Sequence, residues 1–246
     1  MAIYRNLTRA EYEALPGINW SALKNGIGKT AAHIKAAKAG RKDTPALRFG
    51  RLFHLAILEP QKIEKLTVVE TKTTSKPDCI TMEEWDDIAA MRDGINRLGI
   101  TEPITQPETA LTWKFGGVEC KCMFDGIIKP RLIDLKSTQN AEPGAFKGEI
   151  FKYKYHGQGA FYLDGCRANG IDLDGFSILA VEKSEPFAAG LYHLDASWLD
   201  LGRSCYEEAL EVWADNKPGT YGTQIIEPPE WAQPGLVMNE SGGIDL

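Results

Sequence analysis

Residues 109–138 constrain the fold more than any other part of the chain, because they predict three consecutive strands joined by tight turns. The adjacent glycines Gly116 and Gly117 separate two β-prone segments, as expected for a hairpin. A second turn, centred on Pro130, leads into a third segment in which apolar and polar residues alternate. The sequence therefore predicts a sheet around which the rest of the chain is arranged.

Three charged residues fall within this predicted sheet. Asp125 lies near the end of the second predicted strand, and Asp134 and Lys136 lie on the third. Strand side chains alternate between faces, so Asp134 and Lys136 share one face while Ile133 and Leu135 point to the other. A short turn can bring Asp125 alongside Asp134. Two carboxylates and an ammonium among apolar residues are costly to assemble unless a ligand binds there, and Mg²⁺ takes such oxygen ligands.

The alternative is that this Asp-x-Lys pattern belongs to a solvated strand face, which is common. Other motifs bear on the choice. A helix predicted over residues 46–58 carries Gly50 and His54, which are four residues apart and therefore share a face. A histidine in such an apolar run is more commonly a hydrogen-bonded core residue than a metal ligand. Gly50, one turn earlier, leaves room for another group to approach the histidine.

A second helix, predicted over residues 150–168, carries another pair of polar residues at helical spacing. Gln158 and Tyr162 are four residues apart and face the same way. Taken alone, such a pair is typical of an ordinary helix surface. Its interest comes from its position after the three strands.

The remaining elements frame these motifs. Capping residues and turn signals predict a helical N-terminal part over residues 1–60 and a helix over residues 81–98. Further predicted elements are strands over residues 64–71, 176–183 and 187–195, loops over residues 71–78 and 139–148, and a helix over residues 196–214. We predict one domain over residues 1–216, with the central sheet and its helix within residues 105–195, and an irregular tail over residues 217–246.

Composition excludes some classes of protein. No apolar run approaches the length of a membrane span and no signal-peptide pattern is present, so we predict a cytoplasmic protein without a membrane partner. The cysteines are odd in number and do not complete a four-ligand zinc set, so we interpret them as reduced thiols. They are Cys79, Cys120, Cys122, Cys166 and Cys205.

Charge is distributed unevenly along a chain whose net charge is −6. Residues 21–51 contain eight lysine or arginine residues against Asp43 alone, a local charge of +7. Such asymmetry can direct one face of an acidic protein toward a polyanion. The alternative is that these lysines solubilise amphipathic helices.

The order of these motifs resembles the PD-(D/E)xK nuclease superfamily, in the branch that carries a helical histidine and a Gln-x-x-x-Tyr motif. The closer resemblance is to the phage-type exonuclease VIII (RecE-like) nuclease domain. It rests on residues 50–60 (GRLFHLAILEP), 133–138 (IDLKST) and 180–187 (AVEKSEPF), and it covers residues 19–214. This resemblance implies an α/β (α+β) fold with a restriction-endonuclease-like core, in which helices flank a central mixed sheet.

The resemblance also implies roles for individual residues. Lys136 would orient or deprotonate the attacking water, and Gln158 and Tyr162 would hold the substrate strand or the water beside it. The groups implied to bind Mg²⁺, with Mn²⁺ as a substitute, are His54, Asp125, Asp134 and the Leu135 backbone carbonyl. One departure is that no basic residue shortly precedes Asp125, which puts one local substrate contact in doubt.

By the same resemblance, the chain is expected to be a Mg²⁺-dependent exodeoxyribonuclease. It would digest linear double-stranded DNA from a 5′ end and leave 3′ single strands for phage-type recombination. The expected partners are double-stranded DNA ends, a single-strand annealing protein and further copies of the chain in a ring. Two alternatives stay open: another nuclease of the superfamily, such as a single-strand exonuclease or structure-specific endonuclease, and a catalytically silent DNA-binding module.

Two arginines are the candidate DNA contacts. Arg48 and Arg51 close the basic segment and lie a few residues before His54 on the same predicted helix. Arginine can hold a phosphate through two parallel hydrogen bonds. We therefore predict that Arg48 and Arg51 contact DNA and that either one can hold a terminal 5′ phosphate.

Overall fold

A computed structural model of the chain describes residues 1–39, 43–70 and 79–215, together with residues 220, 221, 226 and 229. The loop predicted for residues 71–78 and most of the tail predicted for residues 217–246 lie outside the described residues. The single domain predicted over residues 1–216 stays a prediction. Among the described residues, no helix combines the length and the apolar character that a membrane crossing requires.

Short strands and helices alternate along the chain. The strands are β1 (Ala2–Tyr4), β2 (Thr67–Val69), β3 (Cys79–Thr81), β4 (Thr109–Phe115), β5 (Val118–Phe124), β6 (Gly126–Ile128), β7 (Arg131–Thr138), β8 (Gly175–Glu182) and β9 (Ala189–His193). The helices are α1 (Arg9–Ala14), α2 (Trp20–Leu23), α3 (Ala31–Lys38), α4 (Pro45–Leu58), α5 (Pro60–Ile63), α6 (Met82–Asn96), α7 (Pro143–Lys152), α8 (Tyr155–Ala168) and α9 (Ala196–Asp215). A 3₁₀ turn over Lys24–Gly26 follows α2.

The central sheet is mixed and has the strand order β6-β7-β8-β9. Strands β7 and β8 run parallel, with Asp134 opposite Ile178, whereas the two outer pairs are antiparallel. A second sheet, β1-β4-β5, contains the predicted hairpin about Gly116 and Gly117, and β2 pairs with β3 in a small parallel sheet. The predicted α/β class with a mixed sheet flanked by helices is confirmed.

Alternation along the central strands divides the core into two layers. Leu132, Phe176 and Ile178 belong to the apolar cluster shared with α8 and α9. Ile133 and Leu135 belong to a second cluster, on the other face, shared with α4 and α6. A strand with both faces covered buries most of its residues, which explains why β8 is apolar along nearly its whole length.

Several predicted helix ends are confirmed by their caps. Thr8 and Thr81 each form a capping box with the glutamate three residues later, and these boxes begin α1 and α6. Thr44 accepts a hydrogen bond from the Leu47 N–H at the start of α4. Pro45 fills the first helical position of α4, where no backbone donor is needed.

The helix predicted over residues 150–168 is wrong in one respect, because the structure divides this region between α7 and α8. The break lies at Lys154, whose φ of 59° is left-handed. Helix α7 begins inside the predicted loop over residues 139–148, since the Glu142 carboxylate accepts the Gly144 and Ala145 N–H groups and Pro143 follows it. A glutamate cap of this kind is weaker evidence in a sequence than serine, threonine or aspartate.

Four short elements were not predicted from the sequence. They are β1, α5, β3 and β6, of three or four residues each. Segments of this length contain less than one period of an amphipathic helix, or a single alternation of a strand, so their hydrophobic pattern carries little information. Tertiary contact, such as the pairing of β1 with β4, determines them.

Glycines let α8 lie close to an aromatic ring of α2 and to one of the central sheet. A Cβ atom added at Gly157 would lie 2.3 Å from the Trp20 ring, and one at Gly159 would lie 2.5 Å from Phe176. Both rings are almost fully buried and belong to the apolar cluster beneath α8. The glycines that weaken α8 as an isolated helix therefore permit its packing.

We expect Gly159→Ala to destabilise the protein by about 1–3 kcal/mol, because the added methyl overlaps the buried Phe176 ring. Gly148→Ala is the matched control: it lies within α7, and its added methyl meets open space. It should raise stability by up to about 1 kcal/mol through helix propensity. Urea denaturation measures both, and equal effects of the two substitutions would contradict the packing argument.

Candidate active site

The predicted polar residues meet where the two larger sheets adjoin. Asp125 directly follows β5, and its Oδ2 accepts a 2.6 Å hydrogen bond from the backbone N–H of Leu135 on β7. That bond joins the end of one sheet to the middle of the other. Asp125 and Asp134 are both buried, so their carboxylates lie in a region of low polarity.

Asp134 is held from two directions. Its Oδ1 accepts a 2.6 Å hydrogen bond from Gln158 Nε2 on α8, and its Oδ2 lies 2.5 Å from Lys136 Nζ. The geometry of the second contact is that of an ion pair, and Oδ2 accepts no well-directed hydrogen bond although it is buried. Asp134 Oδ2 therefore already contacts one cation, the Lys136 ammonium.

His54 approaches from the opposite layer. Helix α4 places its Nδ1 3.4 Å from Asp125 Oδ1. One turn earlier, a Cβ added at Gly50 would meet nothing within 4 Å, so the helix leaves open space beside the histidine. The structure therefore brings His54 next to the Asp125 carboxylate.

Glu108 is a site residue that the sequence reasoning missed. Ligand atoms of His54, Glu108 and Asp125 all lie within 4.8 Å of one another. The signal was present in the hairpin: its register pairs Thr109 with Phe124, so the next residues outward are Glu108 and Asp125. The Glu108 N–H also donates to the Asp125 carbonyl at 3.3 Å.

Burial and mutual charge perturb this group of ionisable residues. Burial, assisted by the Asp125 charge, raises the pKa of Glu108 to about 7. Burial also raises the pKa of Asp134. Burial opposes ionisation of Asp125 too, but the neighbouring His54 and Lys136 outweigh it and hold the pKa of Asp125 below its usual value.

The pKa values of the two basic groups, His54 and Lys136, are shifted as well. Burial disfavours the charged form of His54, but Asp125 more than compensates, so the pKa of His54 is raised. Burial likewise opposes the charge on Lys136, and Asp134 and Asp125 together raise its pKa. Perturbed groups concentrated in one cleft are typical of a functional site.

The donor set fits a divalent cation. Carboxylates and an imidazole are common ligands of such ions, and ligand atoms of His54, Glu108 and Asp125 lie together. The N–H and C=O of one strand residue point to the same side, so the Leu135 carbonyl faces the side on which its N–H meets Asp125. Among the described residues, the side chains grouped closely enough to hold a cation are therefore His54, Glu108 and Asp125.

A cleft of about 660 Å³ leads to these groups. Gly50, His54, Lys136 and Gln158 line it, together with N-terminal residues that include Asn6 and Tyr12. Tyr162 also lines the cleft, and burial raises its pKa well above the usual value. Gln158 and Tyr162 are thus brought to the same cleft, as their helical spacing predicts.

The two predicted DNA-contacting arginines have different environments. Arg51 lines the cleft and makes two hydrogen bonds to the exposed Asp43, at 2.6 and 2.8 Å. Arg48 lies outside this cleft, where it pairs with Glu84 and donates a 2.5 Å hydrogen bond to the Cys79 carbonyl. The structure therefore groups Arg51 with the site and gives Arg48 partners that tie α4 to α6.

Comparison with known proteins finds a matching family and solved structures of similar fold. The family model described as a PDDEXK-like domain of unknown function (DUF3799) matches residues 20–220. A crystal structure of a protein from Eubacterium rectale, provisionally named an exonuclease, superposes with a TM-score of 0.61 at 18% sequence identity, covering 92% of this chain and 96% of that one. At this identity the likeness establishes a shared fold. No curated protein matches the chain.

The raised pKa of Glu108 predicts a pH-dependent effect on the stability of the metal-free protein. Its pKa rises from 4.5 to about 7 on folding, so its contribution to stability is fully present below pH 4.5 and is lost as pH rises through 7. Because Gln stays neutral, Glu108→Gln should stabilise the protein at pH 8 by about 1–3 kcal/mol relative to wild type, and much less at pH 5.

Urea denaturation in EDTA at the two pH values measures this difference. The matched control is Glu102→Gln, which changes an exposed glutamate on the approach to the same strand. Its effect should be small and similar at both pH values. If Glu108→Gln changed the free energy of unfolding equally at both pH values, the argument that ionising the buried Glu108 costs stability would be contradicted.

Proposed function

The chain belongs to the family described as a PDDEXK-like domain of unknown function (DUF3799), and from this premise we propose that it is a metal-dependent exodeoxyribonuclease acting on linear double-stranded DNA. The observation that carries the proposal is the buried cluster in which Asp134 contacts Lys136 and Gln158, and in which ligand atoms of His54, Glu108 and Asp125 lie together. The name of the Eubacterium rectale protein of the same fold supports the exonuclease assignment.

The proposed ligands of the ion, Mg²⁺ or Mn²⁺, are His54, Asp125, Asp134 and the Leu135 carbonyl. Glu108 extends this set. A divalent cation bound by these groups supplies an activated water and offsets negative charge on the scissile phosphate. Because Asp125 also accepts the Leu135 N–H, its carboxylate is oriented before any ligand arrives.

The remaining residues act on the substrate. Lys136, which lines the cleft, would orient or deprotonate the attacking water and stabilise the added charge of the transition state. Gln158 holds Asp134 in place through its amide and shares the cleft wall with Tyr162. Together they would position the substrate strand beside Lys136. Preorganised donors of this kind lower the barrier because they need no rearrangement during the reaction.

Substrate binding is assigned to the basic N-terminal part of the chain. Arg51 lines the cleft and is more than half exposed, so its guanidinium can exchange Asp43 for a DNA phosphate. We propose that Arg51 holds the 5′-terminal phosphate and that digestion proceeds from 5′ to 3′. Assembly of several copies into a ring and cooperation with a single-strand annealing protein are part of the same proposal.

The deciding experiment compares linear duplex DNA with closed circular duplex of the same sequence, each with Mg²⁺ and with EDTA. An exonuclease should digest the linear DNA in Mg²⁺ and leave the circular DNA intact. Substrates labelled at the 5′ or the 3′ end then give the polarity. Digestion of the circular form would point to an endonuclease, and no digestion in Mg²⁺ or Mn²⁺ would point to a silent DNA-binding module.

Asp134→Asn should abolish most activity while the fold is retained. The substitution keeps the shape of the side chain but removes the charge that binds the cation, so the rate should fall on the order of 100-fold or more. His54→Gln should weaken Mn²⁺ binding by about 10- to 100-fold with a near-normal melting temperature. Calorimetric titration of Mn²⁺ and digestion of end-labelled duplex measure the two effects.

The control for His54→Gln is His33→Gln. His33 also lies on a helix, but its Nδ1 contacts the Thr30 hydroxyl at 3.0 Å as part of a cap. This variant should bind Mn²⁺ as the wild type does. If His54→Gln kept wild-type Mn²⁺ affinity and lost stability instead, His54 would be a structural histidine.

Arg51→Ala and Arg48→Ala should separate DNA binding from folding. Loss of the Arg51 guanidinium should remove the preference for 5′-phosphorylated over 5′-hydroxyl duplex ends, with little effect on melting. Arg48→Ala should keep that preference and lower stability by about 1–3 kcal/mol, because Glu84 loses its partner in a partly buried setting. A preserved end preference in Arg51→Ala would move the phosphate site elsewhere.

A further inference from the structure

The turn between α7 and α8 presents aromatic rings to solvent. The residues from Phe151 to Tyr155 alternate aromatic and basic side chains in the order Phe-Lys-Tyr-Lys-Tyr. Phe151 is 60% exposed and Tyr153 is 41% exposed. Large rings exposed at neighbouring positions carry a hydrophobic cost, so their presence on this turn indicates a binding surface.

The backbone of this turn is strained at a lysine. Lys154 adopts a left-handed conformation with a φ of 59° and a ψ of 41°. Glycine takes this conformation readily, whereas a lysine there is uncommon and costs free energy. Strained residues of this kind cluster at binding sites, where the side chain serves a purpose that glycine cannot fulfil. The side chain retained here is a cation.

The aromatic surface is continuous with the active-site cleft. The ring of Tyr153 lies 5.7 Å from that of Tyr155, and the Tyr155 ring lies 4.9 Å from Lys136 Nζ. Lys136 lines the cleft. A strand that leaves the cleft past Lys136 therefore meets Tyr155 first and then the exposed ring of Tyr153.

The local charge suits a polyanion. Residues 147–154 contain Lys147, Lys152 and Lys154 against Glu149, and the Glu149 carboxylate accepts a 3.0 Å hydrogen bond from the Thr138 hydroxyl. This segment is basic in a chain whose net charge is −6. Aromatic faces interleaved with lysines are the combination by which proteins bind single-stranded nucleic acid, since bases stack on the rings and phosphates contact the cations.

We propose that the α7–α8 turn binds the single strand of DNA that leaves the cleft, with bases stacked on Phe151 and Tyr153 and phosphates held by Lys152 and Lys154. The proposal rests on the proposed function for the identity of the nucleic acid, because it takes the strand to come from the nuclease site. Stacking needs unpaired bases, so the surface distinguishes single strands from duplex. It extends the cleft along α8 and gives the emerging strand a defined path.

The test is fluorescence anisotropy in EDTA, which measures binding without cleavage. The probes are a labelled oligothymidine, an abasic oligonucleotide of the same length, and a blunt duplex. Tyr153→Ala and Phe151→Ala should each weaken oligothymidine binding roughly 10-fold. Neither should change the affinity for the abasic oligonucleotide or the duplex. Met82→Ser, which removes an exposed apolar side chain at the start of α6, should change none of the three.

Lys154→Gly provides a second, independent test. It removes a phosphate contact, so it should weaken the binding of both single-stranded probes. The plot of log affinity against log salt concentration should become less steep by the amount expected for about one lost contact. It should also raise the melting temperature, because glycine relieves the left-handed strain. Weaker binding by a more stable protein cannot be attributed to misfolding.

Two results would overturn the proposal. One is unchanged oligothymidine affinity in Tyr153→Ala, Phe151→Ala and Lys154→Gly. The other is loss of self-association in Phe151→Ala by sedimentation, with DNA binding intact, which would make the turn a contact between copies of the chain. The binding assay does not depend on catalysis. Suppose that the protein has no nuclease activity but binds oligothymidine in a way that depends on the aromatic rings of Phe151 and Tyr153. That result would reject the proposed function and would support the proposed single-strand surface.

Discussion

The hydrogen bond from the Leu135 N–H to the Asp125 carboxylate is the contact on which the rest of the site depends. It joins two strands that belong to different sheets, and it fixes a buried anion at their junction. An isolated buried carboxylate is costly, so its surroundings must supply donors and positive charge. His54 from one layer and Lys136 from the strand itself do so. The packing of α4 against the central sheet is therefore inseparable from the ionisation of Asp125.

Buried charged groups are compensated differently in this site and elsewhere in the protein interior. Lys121 is also buried, but its ammonium donates to three backbone carbonyls at the end of α1, at 2.6, 2.9 and 3.1 Å. That lysine is fully satisfied and has a structural role. The cluster beside His54 is different, because burial and then the neighbouring Asp125 raise the pKa of Glu108 to about 7. Buried ionisable groups with such perturbed pKa values are typical of a functional site.

Local patterns made part of the site predictable. Strand alternation placed Asp134 and Lys136 on one face, and helical spacing brought Gln158 and Tyr162 into one cleft. Glu108 could not be predicted without the register of the hairpin. Its place beside Asp125 follows only once each residue of β4 is paired with its partner on β5. Arg48 is a residue for which the local pattern predicts a place near the site and the structure gives another place. Its helical position adjoins the site, but a tertiary contact with Glu84 directs its side chain elsewhere, and no local pattern contains that contact.

The precision of the site depends on how closely α8 approaches the sheet. Interaxial distance is set by the side chains at the contact, and glycine at Gly157 and Gly159 allows the backbone to lie directly against aromatic rings. Gln158, between these glycines, is thereby held within 2.6 Å of Asp134. A larger residue at either glycine would move the helix outward, and a shift of about 1 Å can change a rate by about 100-fold. The glycines that reduce the intrinsic stability of α8 therefore place a polar side chain at hydrogen-bonding distance from Asp134, so the packing of α8 fixes the position of Gln158.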